Sequence, residues 1–149
     1  MGLLDSVFRK ATPDGTITLS SPEAFAAILV IAMAADGYAT DEEVRTLRDS
    51  LYRMQLFKRF DEEHMAKMID KLLGIMQSQG PDALFQGAQV ALPEELRETA
   101  YAVAADMTLT DGTLDASEQD FLTELASALA ISPQTAELLI TAMTIKNRG

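Results

Sequence analysis

A short pattern that occurs twice in the sequence constrains the fold more than any other feature. Asp36-Gly37 is followed by Glu43, and Asp111-Gly112 is followed by Glu118, so each Glu stands seven residues after its Asp. An apolar helical stretch runs into each Asp-Gly, and an amphipathic stretch begins just after it. Glycine is common just past a helix end because it adopts the left-handed conformation without a steric penalty. Each copy therefore predicts a helix, a tight loop and a second helix.

The residues after each Asp-Gly predict how the second helix begins. Thr40-x-x-Glu43 and Asp115-x-x-Glu118 have the spacing of a capping box, in which two side chains satisfy free backbone N–H groups. A shift of 75 residues superposes the two copies, and few identities survive outside the loops. The sequence therefore predicts two related helix-loop-helix halves produced by an internal duplication.

The remaining sequence has helical periodicity and no convincing strand alternation. Its 149 residues are enough for one domain with a proper core. One run, Ala24 to Ala35, is apolar on every face and would form a helix of roughly 18 Å, shorter than the bilayer core of about 30 Å. It predicts a buried helix and not a membrane span. We expect a single compact all-α bundle of about seven to eight helices.

Local signals mark where several of these helices begin and end. Ser21-Pro22 and Ser132-Pro133 have Pro at a first helical position, and Asp61 has the character of an N-cap. Gly80-Pro81 predicts the end of the helix that Asp61 begins. Within that helix, five apolar residues at helical spacing predict a buried stripe: Met65, Met68, Ile69, Leu72 and Met76.

The N-terminal part of the chain is predicted to lie outside the main domain. We assign residues 1–20 to an amphipathic segment and a linker, and residues 21–149 to the helical domain. Residues 2–10 predict a short amphipathic helix, for which three roles are open: docking on the core, weak membrane contact, and lipidation through a loose myristoylation pattern at Gly2. The start lacks the features of a secretory signal, so we expect a cytoplasmic protein.

Composition excludes several classes of function. The chain has 12 Lys and Arg against 23 Asp and Glu, a net charge of −11. This balance argues against nucleic acid as a partner and favours cations or basic protein surfaces. There is no Cys and only one His, which excludes thiol redox chemistry, zinc fingers and Cys/His nucleophile pairs. No nucleophile or phosphate-binding loop accompanies the acidic pattern, so we expect no enzyme.

The single histidine, His64, follows Asp61, Glu62 and Glu63. These neighbours favour a solvated histidine flanked by carboxylates. A metal ligand or an acid/base catalyst is the alternative interpretation.

The duplicated carboxylates are the best candidates for a metal site. A lone loop resembles a calcium loop with Gly at position six and Glu at twelve, but positions one and three are apolar, which leaves too few oxygens. Together, Asp36, Glu43, Asp111 and Glu118 could offer four carboxylates to one divalent cation, either calcium, magnesium, manganese or zinc. Alternatively, all four only cap helices and bond turn amides.

Three stretches of the sequence resemble the TerB tellurite-resistance family, particularly its cyanobacterial type. They are Ala34-Ala35-Asp36-Gly37 with Glu43, residues 96–106 leading to Asp111-Gly112 and Glu118, and the closing Ile145-Lys146-Asn147-Arg148-Gly149. The resemblance covers about residues 20–149. It implies a helical fold of two related halves, an acidic cluster proposed to bind a divalent metal, and a role in stress response beside partner proteins that include a membrane component.

The sequence thus leads to two hypotheses of function. The first is a non-enzymatic protein of the tellurite-resistance and stress-response type, a metal-binding or metal-responsive scaffold that docks protein partners. The second is a protein-interaction domain whose acidic loops are only structural helix caps. Because the chain has no Cys, direct reduction of tellurite by its own thiols is excluded.

Overall fold

A computed structural model of the chain describes residues 17–34, 39–111 and 113–148. Over these residues the fold consists of seven α-helices and three short 3-10 helices, with no strand. The α-helices are α1 (Ser21–Met33), α2 (Asp41–Tyr52), α3 (Glu62–Gln79), α4 (Pro81–Ala91), α5 (Arg97–Thr108), α6 (Ala116–Ala128) and α7 (Pro133–Lys146). The 3-10 helices are Gln55–Phe57, Glu94–Leu96 and Leu109–Asp111. The predicted all-α fold is confirmed, and the helix expected over residues 2–10 lies outside the described residues.

The helices group into two units that divide after Leu92. Helices α1 to α4 belong to the first unit and α5 to α7 to the second. The sequence-based domain limits, with residues 1–20 apart from 21–149, remain a prediction. The origin of the two helix-loop-helix halves in an internal duplication is also still a prediction.

Helix α1 is the centre of the first unit. Every residue from Ala24 to Ile31 is buried, and the helix contacts α2, α3 and α4. A helix that is apolar on all sides needs neighbours on all sides. The buried position expected for this run is confirmed. In the part of the chain that the structure describes, no helix is both long enough and apolar enough to cross a membrane.

Helix α3 packs against both α1 and α4 through the predicted stripe. All five stripe residues are buried, as the spacing predicts. The helix ends at Gly80, whose φ of 92° is open to glycine but strained for other residues. Gly80 and Pro81 therefore turn the chain from α3 into α4, as predicted.

The second unit is built around α5, which contacts both α6 and α7. Three of the four buried side chains of α5 are alanines, which let the neighbouring helices approach closely, and the fourth is Tyr101. Helix α7 differs from α1 in one respect. It is rich in apolar residues, but Ala136 is its only buried one.

Candidate functional site

The first predicted loop ends in the capping box that begins α2. The hydroxyl oxygen Oγ1 of Thr40 accepts a hydrogen bond from the backbone N–H of Glu43 at 3.1 Å. In return, Oε1 of Glu43 accepts from the backbone N–H of Thr40 at 2.9 Å. Both free donors at the helix start are satisfied by this exchange, and the predicted capping box is confirmed.

The second loop ends in the same arrangement at the start of α6. The carboxylate of Asp115 accepts from the N–H of Glu118 at 2.8 Å, and Oε1 of Glu118 accepts from the N–H of Asp115 at 3.0 Å. Both glutamates of the repeated pattern are therefore fixed in the same way, each through one carboxylate oxygen. In the described ranges, the second oxygen of neither glutamate has a partner.

A third capping box begins α1 and was not predicted. Ser20 and Glu23 exchange hydrogen bonds of 2.9 and 3.3 Å, and Oε2 of Glu23 also accepts from Nζ of Lys71 on α3 at 2.9 Å. The spacing Ser20-x-x-Glu23 is the signal that indicates it, whereas Ser21-Pro22 alone indicates only a helix start. The Asp-Gly before this box, Asp14-Gly15, lies nine residues before Glu23 and not seven, so a capping box also forms outside the repeated pattern and does not by itself mark a cation loop.

The surroundings of Glu23 change its pKa. Partial burial works to raise the pKa of this carboxyl, but the hydrogen bond from Ser20 and the contact with Lys71 stabilise the ionised form more strongly. The pKa of Glu23 therefore lies below its ordinary value of 4.5.

The four candidate ligands are placed as follows. Glu43 is exposed on the first unit, and Glu118 is half-buried on the second. Asp111 ends the 3-10 helix that follows α5, and only its backbone is described; Asp36 lies outside the described residues. The shared four-carboxylate site therefore remains a prediction.

Among the described side chains, no group of three or more Asp, Glu or His could hold a metal ion. Asp36 and the side chain of Asp111 are not among them, so the predicted cluster stays a prediction.

His64 lies in the first turn of α3, where it bonds to the residue that caps the helix. A carboxylate oxygen of Asp61 accepts from the backbone N–H of His64 at 2.8 Å and lies 2.9 Å from Nδ1 of its imidazole. These contacts, led by the backbone hydrogen bond, lower the pKa of Asp61. The side chain of His64 is 71% exposed, so the solvated, carboxylate-flanked position favoured by the sequence is confirmed.

Asp106 links α5 to the end of α7. Its Oδ1 accepts from Nζ of Lys146 at 3.1 Å and from Nδ2 of Asn147 at 2.7 Å. Asn147 also donates to the carbonyl of Met143, which closes the last turn of α7. Two of the stretches that carry the family resemblance thus meet in one contact, which sequence reasoning did not predict because it depends on the packing of α5 against α7.

The features described so far define an all-helical protein with two Asp-Gly loops that each lead into a capping box. The family model described as tellurite resistance protein TerB matches residues 22–140. The chain therefore belongs to the TerB family and carries a tellurite-resistance-type domain. No curated protein and no solved structure gives a significant match. The finer likeness to the cyanobacterial type remains a prediction.

Proposed function

We propose that the protein is a non-enzymatic scaffold of the stress-response type, acting in the cytoplasm, whose paired Asp-Gly loops bind one divalent cation. Membership of the TerB family supports a role connected with tellurite resistance. The observation that carries the cation proposal is the identical fixing of Glu43 and Glu118, each held through Oε1, while Oε2 has no partner among the described residues.

The chemistry of this arrangement suits a hard cation. Calcium takes six to eight oxygen ligands, and magnesium or manganese also prefers carboxylate and water. A glutamate held by a capping box has already lost part of its rotamer freedom, so binding costs less entropy than it would for a free side chain. Asp36 and Asp111 would add the other two carboxylates, and backbone carbonyls or water would complete the shell.

Calorimetric titration with calcium, magnesium, manganese and zinc tests the proposal. We expect one saturable site per chain for at least one of these ions. At a hundred times its dissociation constant, the ion should stabilise the fold by about 2.7 kcal/mol. The absence of both saturable heat and a shift in melting temperature would exclude the cation site.

Single substitutions distinguish a shared site from helix capping. Because one ion would use both loops, we expect Glu43→Gln and Glu118→Gln each to weaken the same binding event. Glu23→Gln is the matched control, since Glu23 belongs to a capping box outside the repeated pattern, in which Glu follows Asp-Gly at seven residues from the Asp. If the ion binds all three variants as tightly as the unmodified protein, the two loop glutamates are not ligands.

The alternative function is an interaction domain whose loops are only structural. The capping box at Ser20 and Glu23 favours it, because this box exchanges the same pair of hydrogen bonds as the loop boxes although it lies outside the repeated Asp-Gly pattern. In that case no ion would bind, and the Gln variants of Glu43 and Glu118 would melt like the unmodified protein with and without metal, because Gln can also complete a capping box, while partner capture would persist.

Membrane contact through residues 2–10 is a separate part of the proposal. These residues lie outside the described part of the chain. Sedimentation with anionic vesicles, before and after deletion of residues 2–10, is the test. We expect weak pelleting that the deletion abolishes, and the idea fails if neither form pellets.

A further inference from the structure

A basic segment interrupts the acidic surface of the first unit. Residues 44–60, hereafter the basic segment, contain five of the 12 Lys and Arg residues and only one acidic residue, Asp49. Its net charge is +4 in a chain whose net charge is −11. The five cations are Arg45, Arg48, Arg53, Lys58 and Arg59.

The fold holds the basic segment in a fixed shape. Helix α2 buries Leu47 and Leu51 and leaves Arg45 and Tyr52 exposed on its outer side. After α2, the 3-10 helix Gln55–Phe57 contacts α2.

Phe57 anchors the part of the basic segment that follows α2. Its ring is buried, with its centroid 6.3 Å from that of Phe25 on α1 and 5.2 Å from that of Phe60. Lys58 and Arg59 follow this anchor directly and are exposed. The cations therefore stand on an ordered surface and not on a loose loop.

The cations of the basic segment differ from most others in the described ranges. Lys67, Lys71 and Lys146 each form an ion pair, with Glu63, Glu23 and Asp106 respectively. The five cations of the basic segment form none within the part of the chain that the structure describes. A positive charge near the C-terminal end of α2 stabilises the helix dipole, but this role involves only the last turn and does not account for Arg45.

We infer that the basic segment is a docking surface for an acidic segment of a partner protein. These five cations, which have no ion-pair partner among the described residues, offer a concentrated positive charge to an acidic segment, and complementary charge directs both encounter and orientation. Exposed Tyr52, which is 37% accessible, adds an apolar contact with a polar tip among the cations. This inference makes the scaffold role of the proposed function more specific and does not depend on cation binding by the loops.

The charge around the basic segment favours a narrow polypeptide over a broad polyanion. Asp41–Glu43 precede the basic segment and Asp61–Glu63 follow it, and all six of these residues are exposed. A membrane or a duplex would bring its negative surface against these carboxylates as well as against the cations. A short acidic segment can contact the cations alone.

Fluorescence anisotropy with the full chain tests the inference. The probe is a labelled peptide of alternating Glu and Ala, with a Gln and Ala peptide as its neutral counterpart. We expect binding of the acidic peptide only, with an affinity that falls as salt is added. Arg53→Gln with Arg59→Gln should weaken binding by about fivefold, whereas Arg53→Lys with Arg59→Lys should preserve it.

A matched variant distinguishes the contribution of the basic segment to peptide binding from the effect of the net charge of the whole chain. Lys67→Gln with Arg148→Gln removes the same two charges elsewhere, and we expect its affinity to stay within about twofold of the unmodified protein. All variants should melt within about 2 °C of it. A cation titration of the Arg53→Gln, Arg59→Gln protein runs in parallel, so that loss of docking and loss of the ion site are distinguished.

Four results would overturn the inference. The first is no salt-dependent binding of the acidic peptide by the unmodified protein. The second is an equal loss in both pairs of Gln variants, which would mean that only net charge matters. The third is binding to anionic vesicles, lost with Arg53 and Arg59, without peptide binding. The fourth is self-association lost with the same two residues, which would make a second copy of the chain the partner.

Discussion

Among the residues that the structure describes, the buried hydroxyl of Tyr101 has no hydrogen-bond partner. The side chain has no solvent exposure, and burial raises its pKa from 10.0 to about 12. A desolvated hydroxyl that makes no hydrogen bond costs stability, whereas the ring of the same side chain contributes to the core of the second unit.

Replacing Tyr101 with Phe should therefore stabilise the protein. We expect the free energy of unfolding to rise by about 1 kcal/mol, because the ring is kept and the unpaired hydroxyl is removed. Urea unfolding measures this as a higher midpoint with an unchanged slope. Tyr52→Phe on the exposed side of α2 is the control and should have little effect. A lower midpoint for Tyr101→Phe would mean that the hydroxyl makes a stabilising contact.

The same substitution should change the response to alkali. Because the pKa of Tyr101 is about 12 in the folded protein and 10.0 in the unfolded chain, the unfolded state loses its proton first. Stability is then complete below pH 10 and falls as the pH rises toward 12. The fall should be smaller in Tyr101→Phe, as measured by urea unfolding across this range.

Glu23 should carry part of the acid sensitivity. Its pKa is below 4.5 in the folded protein, so its contribution is present above pH 4.5 and is lost as the pH falls through the folded value. Glu23→Gln should cost about 1 kcal/mol at neutral pH and make the loss in acid less steep. Glu63→Gln is the control, because its pair with Lys67 is 74% exposed on both sides and contributes little.

At the scale of elements, a glycine inside α3 and the glycine that caps its end should respond in opposite ways to replacement by alanine. Gly80 has a φ of 92° and a ψ of 163°, a region open almost only to glycine, and a Cβ there would lie 3.0 Å from a carboxylate oxygen of Asp82. Gly74 is inside the helix, and a Cβ there would meet nothing within 4 Å. Gly80→Ala should lose about 1–3 kcal/mol and Gly74→Ala should gain about 0.5–1 kcal/mol, as measured by thermal unfolding. Equal effects at both sites would contradict this backbone argument.

The helix starts could be predicted because their signals are local. Thr40, Asp61, Asp115 and Ser132 all cap helices as their spacing indicates. Features that depend on how the helices pack against one another are harder to predict from the sequence. The sequence does not predict the end of α2 at Tyr52 or the 3-10 helix that holds Phe57 in the core.

The burial of side chains in the second unit is likewise difficult to predict from local sequence patterns. Val103 and Met107 of α5 are larger and apolar but half-buried, whereas Tyr101 is fully buried. On a helix with many alanines, apolar periodicity gives only a weak indication of which face is covered. The site was predictable as two capping boxes, because each box lies within four residues. Whether the two loops share an ion depends on long-range geometry that no local pattern encodes.

At the scale of the whole molecule, the unequal burial of α1 and α7 predicts unequal local stability. Eight consecutive residues of α1 are buried, but only one residue of α7 is. Local opening is easiest where few apolar contacts hold an element. In native-state hydrogen exchange, we expect amides of α1 to exchange slower than those of α7 by about two orders of magnitude or more. Similar rates in both helices would mean that they open together.

The burial of eight consecutive residues of α1 also has a consequence for synthesis. Its neighbours α3 and α4 are translated after it, and α4 ends at Ala91. At roughly 5–20 residues per second, the ribosome needs several seconds to progress from the end of α1 to that point. During this interval the nascent chain contains a segment that is apolar on every face and does not yet have the helices that bury it. Shielding by the ribosome or a chaperone, and not only final stability, therefore governs the yield of folded protein.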